Sequence, residues 1–137
     1  MKNNYIRNSH AKFKLKYHFV LCTKYRRKVL SDDIIKCLKS TLDEKLQLYQ
    51  INIDIAEADI KMRDHIHILV DCPPKISPQK VIKLMKMFTT KKIWEDFSCI
   101  LKDIGYNSGV LWSSGYFVCS VGNANIKTIM EYIETQG

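Results

Sequence analysis

Asp64-His65-Ile66-His67-Ile68-Leu69-Val70 alternates as a β-strand does: Ile66, Ile68 and Val70 recur at every second position, and β-branched side chains dominate. Residues two apart on a strand share a face. His65 and His67 therefore stand side by side, with the isoleucines turned into a core behind them. The strand stops at Cys72-Pro73-Pro74, since proline has no amide to continue a ladder. Two imidazoles on rigid backbone are half of a divalent-metal site. A pair of surface histidines reads the same way, so the remainder of the chain has to decide.

Working outward, Gln50 to Asp59 alternates Ile51, Ile53 and Ile55 with Asn52 and Asp54, the pattern of a half-buried strand. Lys61-Met62-Arg63 turns it into the histidine strand. Upstream, Ser31 is an N-cap with Asp32 and Asp33 in the first turn. Ile34, Leu38, Leu42 and Leu46 then recur every four residues, flanked by Ile35 and Tyr49, which predicts an amphipathic helix of about 18 residues. Before it, Leu15 to Cys22 reads as a strand with Leu15, Tyr17, Phe19 and Leu21 on one face. Thr23-Lys24-Tyr25-Arg26-Arg27-Lys28 is a basic loop holding one aromatic residue.

Downstream, Ser77-Pro78 starts a second helix, with serine as cap and proline in the first turn. Its buried stripe is Val81, Met85 and Phe88 beside Ile82 and Leu84, with Lys80, Lys83, Lys86 and Lys91 outside, and it reaches to Trp94 or Phe97. Ser98 to Gly109 reads as irregular. Tyr116 to Val121 is a last strand, Gly122-Asn123-Ala124-Asn125 a hinge-like break, and Ile126 to Gln136 a final helix. The order β-α-β-β-α-β-α over one domain, residues 1–137, predicts an α+β fold. Its first six elements fit the ferredoxin-like split βαβ: an antiparallel sheet with the helices on one face. The histidines then look out from the other face.

Composition narrows the classes. Through Ser31 there is no acidic residue, against nine lysines and arginines; with a net charge of +8 the rest of the chain is near −1. A basic quarter on a near-neutral body points to a polyanion partner such as nucleic acid, or to a solubilising face. No apolar run approaches the roughly 18 residues of a membrane span, and the first residues lack the apolar stretch of a signal peptide. A cytoplasmic protein is expected. The five scattered cysteines contain no Cys-x-x-Cys, which excludes a zinc ribbon and argues against a disulfide framework. Cys22 and Cys119, inside apolar runs, read as small core residues.

The final helix carries Tyr132 and Gln136 four residues apart, on one face at the edge of its apolar stripe. Tyr132 is either a packing residue or a nucleophile toward a metal-polarised phosphate. The Gln136 carbonyl suits a third ligand beside two imidazoles.

Four segments carry a resemblance. Tyr17-His18-Phe19-Val20 with Thr23 to Leu30, Met62 to Val70 with Pro73-Pro74, Leu111-Trp112-Ser113-Ser114-Gly115-Tyr116-Phe117-Val118 with Val121-Gly122, and Tyr132-Ile133-Glu134-Thr135-Gln136 resemble, in order and spacing, the single-tyrosine HUH transposases of small insertion sequences, the IS-two-hundred-like group. One departure is the middle of the second long helix, where Lys86-Met87-Phe88-Thr89-Thr90-Lys91 replaces a Lys-Gly-x-Ser type sequence. The resemblance implies cleavage and rejoining of single-stranded DNA next to a hairpin, in DNA transposition. Tyr132 would be the nucleophile forming a 5′-phosphotyrosine, and His65, His67 and Gln136 the ligands of Mg²⁺ or Mn²⁺. The final helix would carry Tyr132 to the histidines of a second subunit in a homodimer. Lys24, Tyr25, Arg26, Arg27 and Lys28 would contact DNA. Rival readings are a domesticated relative acting on chromosomal hairpin repeats, a non-catalytic single-strand-binding module, and a zinc hydrolase drawing a third ligand from Glu57 or Asp59.

Overall fold

A computed structural model describes residues 14–121, laid out as β1 (Leu15–Cys22), α1 (Asp32–Leu46), β2 (Asn52–Ala58), β3 (His65–Cys72), α2 (Pro78–Ile104) and β4 (Phe117–Val121). The sheet runs β2-β3-β1-β4 with every neighbouring pair antiparallel. This is the split βαβ arrangement that the element order predicts, with β1 and β3 at the centre. The expected hinge, the final helix, Tyr132 and Gln136 lie outside the described residues. Among the described residues no helix is long and apolar enough to cross a membrane.

Both helices start where their caps put them. Ser31 Oγ accepts from the amide of Ile34 at 3.3 Å, and Ser77 Oγ from that of Lys80 at 3.1 Å. Ile34, Leu38, Leu42 and Leu46 of α1 and Val81, Met85 and Ile93 of α2 join Phe19, Leu21, Ile66, Ile68 and Val70 of the sheet in one core. Full burial of each such side chain contributes roughly 1.5–3 kcal/mol. That gain fixes the register, because a slip of one residue on β3 would drive His65 and His67 inward and the isoleucines out.

Several expectations are corrected. The alternation of Ile51, Ile53 and Ile55 is broken by a bulge: Ile53 pairs with Val70, Ile55 already with Leu69. Asp54 is the extra residue, and its carboxylate holds Lys16 Nζ at 2.7 Å while Asp71 takes the same ammonium from across the sheet. Ile55 is thereby turned to the histidine face, and the small Ala56 and Ala58 enter the core. The second helix does not end near Phe97. Its backbone breaks there (φ −133°, ψ 28°) but resumes through buried Leu101 to Gly105, whose left-handed φ of 107° caps it. Cys22 and Cys119 are half-buried on the histidine face, and Cys72 is the core cysteine. Lys86 stands outside the buried stripe, as its spacing predicts, and is half-buried. Its Nζ donates to the carbonyls of Ser113, Ser114 and Gly115 at 2.8, 3.3 and 3.2 Å. The approach to β4 is thus tied down on α2.

Candidate metal and nucleic-acid site

Register places a third histidine beside the expected pair. Val20 pairs with His67 and Cys22 with His65, so His18, two residues before Val20, projects from the same face. His18 Nε2 lies 3.0 Å from His67 Nδ1, with the two rings stacked at 5.2 Å and 16°. His65 meets His67 edge-on at 5.3 Å. Its Nδ1 donates to Asp64 Oδ1 at 2.8 Å, and Asp64 Oδ2 in turn accepts from Arg26 Nε at 2.9 Å. The histidines do share the face away from the helices, but that face is not open surface. His67 is only 6 % exposed and His18 7 %.

Burial sets the electrostatics. Desolvation, with His18 and His65 beside it, pushes the His67 imidazole down to about 4, and burial lowers His18 as well. Both rings are therefore neutral near pH 7. Asp64 goes the other way: its burial alone would raise it, but the hydrogen bonds and charges of Arg26 and His65 outweigh that and hold the carboxyl below its usual range.

Imidazoles whose Nδ1 atoms are taken by neighbours suit a borderline divalent cation, which is bound by the remaining nitrogen. His65 and His67 fit that requirement. Asp59 Oδ2 is 3.8 Å from His65 Nε2, while its Oδ1 caps the amides of Lys61 and Met62 at 2.9 and 2.8 Å. Glu57 faces Lys39 at 3.7 Å. Among the described residues no group of three or more His, Cys, Asp or Glu is placed to hold one ion.

The basic loop packs against this site. Thr23 N donates to Asp64 O at 2.9 Å, Lys24 N to Leu111 O at 2.8 Å and Leu30 N to Arg63 O at 3.0 Å. Thr23 Oγ1 closes the loop on Arg27 O at 2.8 Å, and the Tyr106 hydroxyl donates to Lys24 O. At its tip Tyr25 and Arg26 both have left-handed backbone, φ 62° and 52°. Such conformations cost about 1 kcal/mol or more per residue and persist where surroundings impose them, often at functional sites. Tyr25 is 68 % exposed, between Lys24 Nζ at 5.3 Å and the Arg27 guanidinium at 5.2 Å from its ring. Of the five loop residues expected at DNA, Arg26 is partly engaged by Asp64, and Arg27 donates to Ile104 O at 2.5 Å. Lys24, Tyr25 and Lys28 form the rest of the loop's surface.

The family model described as Transposase IS200 like matches residues 11–136. This chain belongs to the IS200-like transposase family. It is 32% identical over 128 residues, 93% of this chain and 80% of the relative, to the transposase for insertion sequence element IS200 of Salmonella typhimurium. Its identity to the ISDra2 transposase TnpA of Deinococcus radiodurans is 25% over 124 residues, 90% of this chain and 85% of that one. A crystal structure described as a transposase from Deinococcus radiodurans R1 superposes with a TM-score of 0.71 at 27% identity, covering 99% of this chain and 98% of the other. The transposase thus acts on DNA, which it cleaves and rejoins.

The alternation of β3 puts His65 and His67 on one face, as the structure has them, but carries no sign of His18 or Phe117 beside them. Laying Tyr17-His18-Phe19 antiparallel against the His-x-His strand would have found His18. Phe117, 54 % exposed, pairs with Val20 on the same face and meets the His18 ring edge-on at 6.1 Å.

The depressed pKa of His67 makes acid sensitivity testable in chelator-treated transposase. The unfolded imidazole titrates near 6.5 and the folded one at about 4, so below pH 6.5 the unfolded chain binds the extra proton. Stability conferred by the neutral ring is present above 6.5 and is lost as pH falls toward 4. Between pH 6.5 and 4.5 this should remove about 2 kcal/mol from urea-unfolding stability. His67→Phe should reduce that slope, and a wild-type stability flat across the window would contradict the buried neutral imidazole.

Proposed function

We propose that this transposase cleaves and rejoins single-stranded DNA beside a hairpin, through a covalent 5′-phosphotyrosine formed by Tyr132. The observation that supports it most is the arrangement of His65 and His67, each with Nδ1 taken by a neighbour, in a chain of this family. A divalent cation, Mg²⁺ or Mn²⁺, held by His65, His67 and Gln136 would supply Lewis acidity to the non-bridging oxygens of the scissile phosphate. The residues do the rest. Tyr132 Oη gives up its proton as it bonds to phosphorus, the bond from phosphorus to the 3′ oxygen breaks, and that oxygen takes up one proton to leave as a free 3′-OH, so the step transfers one proton overall and consumes none. The phosphodiester energy stays in the tyrosine ester, so rejoining by another 3′-OH is the reverse exchange and needs no nucleotide triphosphate.

Two aromatics suit unpaired bases. Tyr25 stands exposed between cations on the strained loop, and Phe117 is exposed on the histidine face. Stacking one base on such a ring is worth roughly 1–3 kcal/mol and asks little of sequence. Lys24 and Lys28, with the free edges of Arg26 and Arg27, would neutralise phosphates. The assembly is a homodimer in which the helix of one subunit brings Tyr132 to the histidines of the other.

With hairpin-flanked single-stranded DNA and Mg²⁺ or Mn²⁺, a covalent protein–DNA adduct is expected. Tyr132→Phe should form none, and neither should a His65→Ala, His67→Ala double variant. Mixing the two should restore partial activity, since a heterodimer holds one site with both histidines from one chain and the tyrosine from the other. An adduct formed by Tyr132→Phe alone would remove the nucleophile assignment, and a mixture without activity would place each site within one chain.

The loop makes a separate expectation. Lys24→Ala with Lys28→Ala should flatten log K against log salt by roughly 0.7 for each phosphate that is no longer neutralised. Tyr25→Ala should instead weaken binding by about 1–3 kcal/mol with the slope kept. Filter binding across a salt series separates the two; unchanged slope and affinity in both variants would take the loop off the DNA surface.

A further inference from the structure

His18 takes no part in the proposed chemistry, yet it is buried against one of the histidines at its centre. It sits on β1, diagonal to His67 on the shared face, with its Nε2 3.0 Å from His67 Nδ1 and the rings stacked 16° from parallel. His65 is held by different means, through a carboxylate that Arg26 fixes in place. We infer that His18 is a positioning residue for the metal site: its Nε2 accepts a hydrogen bond from His67 Nδ1–H, which fixes the ring and directs the lone pair on His67 Nε2 to the cation.

This rests on the metal role proposed for His65 and His67 and adds the device that orients one of them. Proton placement decides the roles. A neutral imidazole carries one ring proton, so a ring that binds metal through Nε2 must keep it on Nδ1. At 3.0 Å only one proton lies between His67 Nδ1 and His18 Nε2. If His67 donates it, His18 accepts and must carry its own proton on Nδ1. The acceptor is therefore a neutral ring where His65 has a carboxylate. A metal-ligating histidine commonly spends its second nitrogen on such a partner, whose loss costs about 10–100-fold in metal affinity. The two ring planes lie 16° from parallel with centroids 5.2 Å apart, as an in-plane hydrogen bond between ring edges requires.

The test is Mn²⁺ binding to the full chain by calorimetry, without DNA. His18→Phe keeps an aromatic ring in place but has no acceptor, and should weaken Mn²⁺ by at least about tenfold. His18→Gln offers a carbonyl oxygen and should recover most of that loss. Equal Mn²⁺ affinity in His18→Phe and wild type, or no recovery with glutamine, would overturn the inference. The underlying reading fails differently: His65→Ala and His67→Ala binding Mn²⁺ as wild type does would remove the metal site and His18's role with it. A measurement on unaltered protein guards against misfolded variants. Long-range ¹H–¹⁵N spectra of the metal-free chain should show His67 protonated at Nδ1 and His18 unprotonated at Nε2, and His67 protonated at Nε2 would overturn the assignment.

Discussion

The antiparallel register of β1 on β3 is the constraint on which the other features depend. It is held on one side by Phe19, Leu21, Ile66, Ile68 and Val70 sealed against two helices. The same pairing brings Val20 opposite His67 and Cys22 opposite His65, and so sets His18 against His67 on the far face. Hydrophobic burial and polar geometry are thus two consequences of one alignment. The strands involved are the two central ones, each flanked on both edges, so the histidines rest on the stiffest part of the sheet, where ligand positions are least free to drift.

A second series of bonds links that rigid site to the basic loop. Arg26 reaches Asp64, Asp64 orients His65, and the loop backbone bonds directly to Asp64 and Leu111. Two consecutive left-handed residues at the loop tip are held by this network against their intrinsic preference. The side chain that lines up a histidine and the segment that carries Tyr25 are therefore parts of one structure. An arginine in this position cannot be counted simply as a phosphate ligand, because part of its hydrogen-bonding capacity is already committed within the protein.

Much of this was legible in the residues. Period-two alternation gave β1 its bounds and β3 its faces, and Ser31 and Ser77 marked both helix starts. What local pattern missed came from tertiary interactions. The bulge at Asp54 answers an ion pair with Lys16, whose other partner is Asp71, 17 residues beyond Asp54 in the sequence. The end of α2 was hidden because the backbone breaks at Phe97 while Leu101 continues the buried face. Period alone places Lys86 outside the stripe but cannot show its three carbonyl partners, which come from an irregular segment. His18 gives no local signal, because its role exists only once two distant strands are placed side by side.

The central claim is that this histidine face binds a divalent cation through the Nε2 atoms of His65 and His67. Anomalous diffraction at the manganese edge, from crystals of the full transposase grown with Mn²⁺, tests it most directly. A single strong peak is predicted on that face, at coordination distance from both Nε2 atoms, with His18 still bonded to His67 Nδ1. A peak located elsewhere, or coordination through either Nδ1, would contradict it.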